Sequence, residues 1–152
     1  MARMHFHVET ELTPAVVLQT LTDFSASRAE AWPNIDAAHF KVHEVGPSWA
    51  EVTEGSSVAG GVWERNRYEW DAAAGRVSAT TLDSNTWAKG SRWDYRLTPR
   101  AGGGTDVEVQ VVRTGRGLKG KLLELAVGLA GARRLRGEME KVLAGVAARQ
   151  QH

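Results

Sequence analysis

The chain has 152 residues, enough for one domain with a substantial hydrophobic core and too few for two ordinary ones. Its 19 basic and 18 acidic residues leave a formal charge of +1, which offers nucleic acid no global attraction. Cysteine is absent, so disulfides, thiolate nucleophiles and sulfur-ligated metals are excluded, in keeping with a reducing compartment.

The start, Met1 to His5, runs straight into alternating residues with no apolar stretch. The expectation is therefore no signal peptide, no transmembrane span and a cytoplasmic location. Met4, Phe6 and Val8 alternate with His5, His7 and Glu9, which predicts a half-buried first strand ending near Leu12. Thr13-Pro14 reads as an N-cap followed by proline at the first helical position, and Val16, Val17, Leu18 and Leu21 supply the apolar stripe of a short helix ending near Asp23. A second short helix is predicted from Ser25 or Ser27 to Trp32, stopped by Pro33. The segment Trp32 to Asp36 then reads either as a lid or as a packed corner.

From Phe40 onward the pattern is nearly all strand. Phe40 and Val42 open one predicted strand, Pro47 marks a turn, and further strands run over 49–54, 62–70, 76–83, 91–98 and 105–114, with a longer connection or bulge over 84–90. Their short polar connections favour antiparallel neighbours. Leu118, Leu122, Leu125, Leu129, Ala132, Leu135, Met139, Val142 and Val146 recur at spacings of three or four, which predicts one long amphipathic helix packed on the sheet. Gly128, Gly131 and Gly137 weaken its intrinsic propensity by up to about 1 kcal/mol each relative to alanine and let its backbone approach the sheet closely. A curved antiparallel sheet wrapped around this helix, in one α+β domain over 1–152, buries both apolar surfaces.

Parity along the strands assigns inward faces. Val62, Glu64, Asn66, Tyr68 and Trp70 share one, continued by Val77, Ala79, Thr81 and Asp83, then Trp93, Tyr95 and Leu97, then Val107, Val109, Val111 and Arg113. Charge on an apolar face must be paired, hydrated or shifted in pKa, so these rows point to a lined pocket in which Arg113 pairs with Glu64 or Asp83. The competing expectation leaves Asp83 and Arg113 at strand ends in solvent. Tyr68, Trp70, Trp93 and Tyr95, with Trp32, are aromatic wall or ordinary core. On the next strand Trp49, Glu51 and Thr53 alternate with Ala50, Val52 and Glu54, which places Trp49 at a mouth or outside.

His5, His7, His39 and His43 lack metal-ligand spacing with a supporting carboxylate and read as surface; His152, at the terminus, is uninformative. Gly102-Gly103-Gly104-Thr105 lacks a phosphate-loop lysine and precedes a strand, which makes it a tight turn. Ser84-Asn85-Thr86 has no histidine base beside it. No metal and no cofactor are expected. Arg113, Arg116, Lys119, Lys121, Arg133, Arg134, Arg136, Lys141 and Arg149 make the last forty residues basic, as a solvated helix face or as a surface for an anionic partner.

Several strings resemble the polyketide cyclase/dehydrase and lipid-transport proteins of the START-like, or Bet v 1-like, superfamily. They are the helix near 18–24, Trp32-Pro33, Val62-Trp63-Glu64, Leu82-Asp83-Ser84-Asn85, Trp93 to Pro99, the Gly103-Gly104-Thr105 turn and the long last helix. The resemblance implies a helix-grip fold with an elongated cavity between curved sheet and C-terminal helix, in proteins that bind lipids, hormones or polyketides or cyclise polyketide chains. It brings no shared catalytic motif with it.

Three functions are expected in order. The first is binding of a hydrophobic or aromatic small molecule with an oxygen that Glu64, Asn66 or Arg113 contacts. The second is a cyclase or dehydratase in which Glu64 moves a proton while Arg113 and Tyr95 steady an oxyanion. The third is a protein- or membrane-interaction module using the basic C-terminal helix. A homodimer is compatible with all three, and nucleic acid is not an expected partner.

Overall fold

The computed structural model describes residues 1–150; His152 lies outside the described residues. The strands are β1 (Ala2–Thr10), β2 (Lys41–Val45), β3 (Trp49–Ser56), β4 (Val62–Asp71), β5 (Arg76–Ser84), β6 (Arg92–Pro99) and β7 (Thr105–Arg113). They form one curved antiparallel sheet in the order β1-β7-β6-β5-β4-β3-β2. The helices are α1 (Pro14–Leu21), α2 (Ser27–Ala31) and α3 (Gly117–Gln150), with short 3-10 turns at Ala37–His39 and Val58–Gly60. This is the expected helix-grip architecture.

Period-two patterning lays down the inner wall. Met4, Phe6 and Val8 on β1 and Val107, Val109 and Val111 on β7 are all buried, and the β1–β7 register sets Val8 opposite Val107 and Phe6 opposite Val109. The Thr13 hydroxyl caps α1 by accepting from the Val16 amide at 3.3 Å, and Pro14 occupies the first turn. Trp32 and Ile35 are buried, so the segment after α2 is a packed corner.

Two expectations fail. The pairing of β4 with β5 shifts between Arg65, which faces Asp83, and Asn66, which faces Thr81. Leu82 is the extra residue of a bulge, and beyond it parity reverses. Asp83 therefore points outward, its side chain 62% exposed and 3.5 Å from Arg116, while Ser84 is buried in its place.

The second failure concerns α3. Leu118, Leu122, Leu125 and Leu129 face solvent, between 61% and 82% exposed. Leu135, Met139, Val142 and Val146 pack on the core. Spacing that averages 3.5 residues drifts about 20° per heptad around a 3.6-residue helix, roughly 80° over this stripe. One continuous sequence pattern is thus split between two faces.

The α3 glycines also differ in role. A Cβ on Gly120 would lie 2.3 Å from the Thr86 carbonyl oxygen, one on Gly131 would lie 2.7 Å from Met4 Sδ, and one on Gly137 would meet nothing within 4 Å. Gly137→Ala is expected to stabilise the protein by up to about 1 kcal/mol through helix propensity. Gly120→Ala is expected to destabilise it, because backbone must move to admit the methyl group. Urea denaturation of both variants measures the opposite signs.

Candidate functional site

The inner faces of β3 and β4 carry Ala50, Val52 and Glu54 and Glu64, Asn66 and Tyr68, and the register sets Glu54 directly opposite Glu64. Two carboxylates opposed on a buried face repel unless each is neutralised. Each has its own arginine.

Arg28, from α2, is almost fully buried and places Nε 3.0 Å from Glu54 Oε1. Its Nη1 donates to the carbonyls of Leu21 (3.0 Å) and Asp23 (3.2 Å), and its Nη2 donates to the Tyr68 hydroxyl (3.1 Å). That hydroxyl donates in turn to the Glu54 carboxylate at 2.9 and 3.0 Å. The guanidinium also lies over the rings of Phe24, Tyr68 and Trp32, with centroids 4.7, 5.1 and 5.7 Å away. Burial lowers the guanidinium pKa, but attraction to Glu54 and Tyr68 and the hydrogen bonds Arg28 donates to them outweigh it, so the net shift is upward.

Arg113 closes the inner row of β7 and grips Glu64 with a two-bond fork, Nη1–Oε2 2.7 Å and Nη2–Oε1 2.8 Å. The Thr81 hydroxyl donates to the same carboxylate at 3.1 Å, and the rings of Trp87 and Trp93 flank the guanidinium at 5.0 and 5.3 Å. Burial pushes the Glu64 carboxyl up; the charge and hydrogen bonds of Arg113, with Thr81 and Asn66, pull it down further and leave it below the ordinary carboxylate range.

Between the two pairs the wall changes character. Trp93 and Tyr95 stack with centroids 6.2 Å apart, and Phe24 meets Tyr68 edge-on at 5.0 Å and lies 6.1 Å from the half-buried Trp70. No hydrogen bond among the described residues involves the Tyr95 hydroxyl, whose pKa burial raises. Asn66 Oδ1 is buried with no partner among the described residues. Buried acceptors without partners are rare and mark places where water or a ligand belongs.

Arg28, Trp32, Tyr68, Tyr95, Leu135 and Met139 border a narrow chamber of ≈ 40 Å³ beneath α3, with the exposed Asn34 at its rim. That is room for about one water molecule. Arg28 and Trp32 also border an external groove of ≈ 410 Å³ between α1, α2 and the end of α3, so these two side chains form the partition between groove and chamber.

Of the residues expected in the site, Glu64, Asn66, Tyr68, Trp93, Tyr95 and Arg113 share the inner wall, Trp32 stands at the partition, Trp70 is peripheral and Asp83 is outside. Trp49 is also outside, under the Arg67 guanidinium at 4.5 Å. Sequence reasoning missed Arg28 and Glu54. The alternation of β3 carried the signal for Glu54, on the same face as Ala50 and Val52. A five-residue helix offers no such signal for Arg28.

The sequence profile of the family described as polyketide cyclase/dehydrase and lipid transport matches residues 1–151. No curated protein matches. Among solved structures, the Zhui aromatase/cyclase of Streptomyces sp. R1128 is similar at 16% identity and a TM-score of 0.79, covering 99% of this chain and 95% of its own. A protein of Thermus thermophilus is similar at 14% identity and a TM-score of 0.78, covering 96% and 97%. A START superfamily protein of Mycobacterium smegmatis is similar at 12% identity and a TM-score of 0.72, covering 96% and 99%. At these identities the likeness is one of fold.

Because the Glu64 carboxyl titrates lower in the folded chain than in the unfolded one, its contribution to stability is complete above about pH 4.3 and is lost as pH falls through the depressed folded value. Glu64→Gln, which leaves Arg113 without its counter-charge, is expected to lower stability at neutral pH by about 3 kcal/mol. The wild type should lose more stability than the variant between neutral pH and pH 3, a difference that urea melts across the range measure.

Proposed function

The chain belongs to the polyketide cyclase/dehydrase and lipid-transport family, and on that premise we propose that it binds a hydrophobic or aromatic, oxygen-bearing small molecule between sheet and α3. The observation that carries this reading is the aromatic lining of the chamber, Trp32, Tyr68, Trp93 and Tyr95, with the unpartnered Asn66 Oδ1 buried on the same inner face of the sheet. Held protonated, Tyr95 donates to a ligand carbonyl or hydroxyl, while Asn66 accepts from a ligand hydroxyl. Trp93, Tyr95 and Trp32 supply flat apolar surface for an aromatic body.

The chamber is far smaller than the roughly 300–1,000 Å³ of ordinary ligand pockets. Occupancy therefore requires Trp32 and the adjoining corner to swing toward the external groove, which joins groove and chamber into one space of that order. Arg28 stays anchored by Glu54 and two backbone carbonyls, leaving Trp32 as the moving part.

A catalytic role for Glu64 is disfavoured by its fork to Arg113, since a carboxylate with a lowered pKa is a weaker base. Quenching of tryptophan fluorescence by 1-naphthol tests binding. Asn66→Val and Tyr95→Phe are each expected to weaken it about 5- to 10-fold, roughly 1 kcal/mol per lost hydrogen bond. Absence of binding to the wild type, or unchanged affinity in both variants, overturns the reading; turnover of a poly-keto substrate that Glu64→Gln abolishes would favour a cyclase instead.

A second reading rests on the solvent-facing leucines of α3. They form an exposed apolar stripe with Arg116 just before it, Lys119 and Lys121 within its first turn and Arg133, Arg134 and Arg136 after it. Glu138 and Glu140 are 3.4 and 3.1 Å from Arg134 and Arg136, and Glu124 takes the Gly115 amide and the Met1 amine. A second copy laid antiparallel on the stripe would bring like charges together at both ends, whereas an anionic bilayer surface complements them. The reading is that α3 docks there and presents the chamber to the lipid phase. Co-sedimentation with vesicles containing phosphatidylglycerol, and not with pure phosphatidylcholine, is expected at low salt and lost in Leu122→Glu/Leu125→Glu. Failure to sediment, or a solution dimer broken by the same substitutions, overturns it.

A further inference from the structure

The outer face of the sheet carries a cluster of a different kind, away from the chamber. His5 and His7 project from edge strand β1 onto β7, where the register sets His7 opposite Glu108. Glu108 Oε2 lies 3.3 Å from His5 Nε2 and 3.5 Å from His7 Nε2, and one donor atom from each of the three residues falls within a span of 4.8 Å. We propose that His5, His7 and Glu108 form a binding site for a divalent transition metal of the zinc class.

The distances match the chemistry. Tetrahedral zinc with ligands at about 2.0–2.2 Å requires donor atoms roughly 3.3–3.5 Å apart. Both histidine-to-carboxylate separations already have that value, and the two imidazoles need only a small rotation of exposed rings, now 5.1 Å apart and edge-on, to complete the triangle.

A second carboxylate strengthens the assignment. Asp106 Oδ2 lies 3.0 Å from His7 Nδ1, the ring nitrogen remote from Glu108. This is the arrangement in which a carboxylate fixes the tautomer of a metal-ligating histidine and leaves Nε2 free to coordinate. Glu108 is within 4 Å of no arginine or lysine among the described residues, although Arg96 faces it across β6 and β7. Its oxygens are thus engaged only by the two histidines.

Two imidazoles and one carboxylate suit zinc, nickel or copper and are poor partners for magnesium or calcium. Three protein ligands leave a fourth position open to water or an exogenous donor. All four side chains are solvent-accessible, from 29% for Glu108 to 54% for His5, so a metal ion reaches them without any opening of the fold.

The test is calorimetric titration of the metal-stripped full chain with Zn²⁺, paired with electron paramagnetic resonance of the Cu²⁺ form. Binding of one ion per chain is expected, with nitrogen hyperfine structure from two imidazoles. The His5→Ala/His7→Ala double variant should lose the site, Glu108→Gln should weaken it strongly, and Asp106→Asn should weaken it about tenfold while keeping the stoichiometry. His43→Ala serves as the control and should bind as the wild type does. Circular dichroism confirms folding of each variant. Absence of Zn²⁺ binding by the wild type, or equal binding by the double variant, overturns the proposal.

Discussion

Glu54 and Glu64 face one another across adjacent strands on the inner wall, and much of the interior is organised by the need to neutralise them. Neither carboxylate reaches enough bulk water to remain charged alone, and neither tolerates the other nearby. The solution is two arginines brought from opposite ends of the chain, Arg28 from α2 and Arg113 from the end of β7. The side chains lean apart, Glu54 toward Tyr68 and Glu64 toward Thr81 and Arg113, so that like charges are separated and unlike charges meet.

This constraint reaches outward into the fold. Arg28 ties α2 to the sheet and simultaneously holds the carbonyls of Leu21 and Asp23, so a single side chain fixes how the short helices cover one end of the sheet. Its guanidinium also gathers Phe24, Trp32 and Tyr68, which sets the partition beside the chamber. Arg113 does the same at the other end, gathering the rings of Trp87 and Trp93 against its guanidinium. The inner wall between the pairs is left with an unpartnered acceptor on Asn66, and the chamber under α3 takes its chemical character from the Tyr95 hydroxyl beside the Arg28–Glu54 pair.

The long helix is divided between two tasks for a geometric reason. Its C-terminal half turns Leu135, Met139 and Val142 onto the core, while its N-terminal half rests on glycines and Val127 and turns four leucines to solvent. No helix among the described residues is long and apolar enough to cross a membrane. The stripe is a surface feature with basic residues at both ends, and the narrow chamber lies under the other half of the helix, at Leu135 and Met139.

Strand positions, both early helices and the inward rows of β4, β6 and β7 were legible in the sequence, because alternation and capping are local and each residue's facing follows from its immediate neighbours. The family resemblance was legible for the same reason, carried by short strings along the chain. What only the tertiary structure decided depends on register and accumulated geometry. A single bulge residue, Leu82, sent Asp83 outward; a small drift per turn put half the α3 stripe in solvent; and cross-strand pairing joined Glu54 to Glu64 and His7 to Glu108. Arg28 met Glu54, 26 residues away, only when both were folded, and the pairing of Arg113 with Glu64 rather than Asp83 was settled by which carboxylate stayed on the inner face. Facing is a property of the residue and its neighbours, whereas partnership requires two strands to find their register.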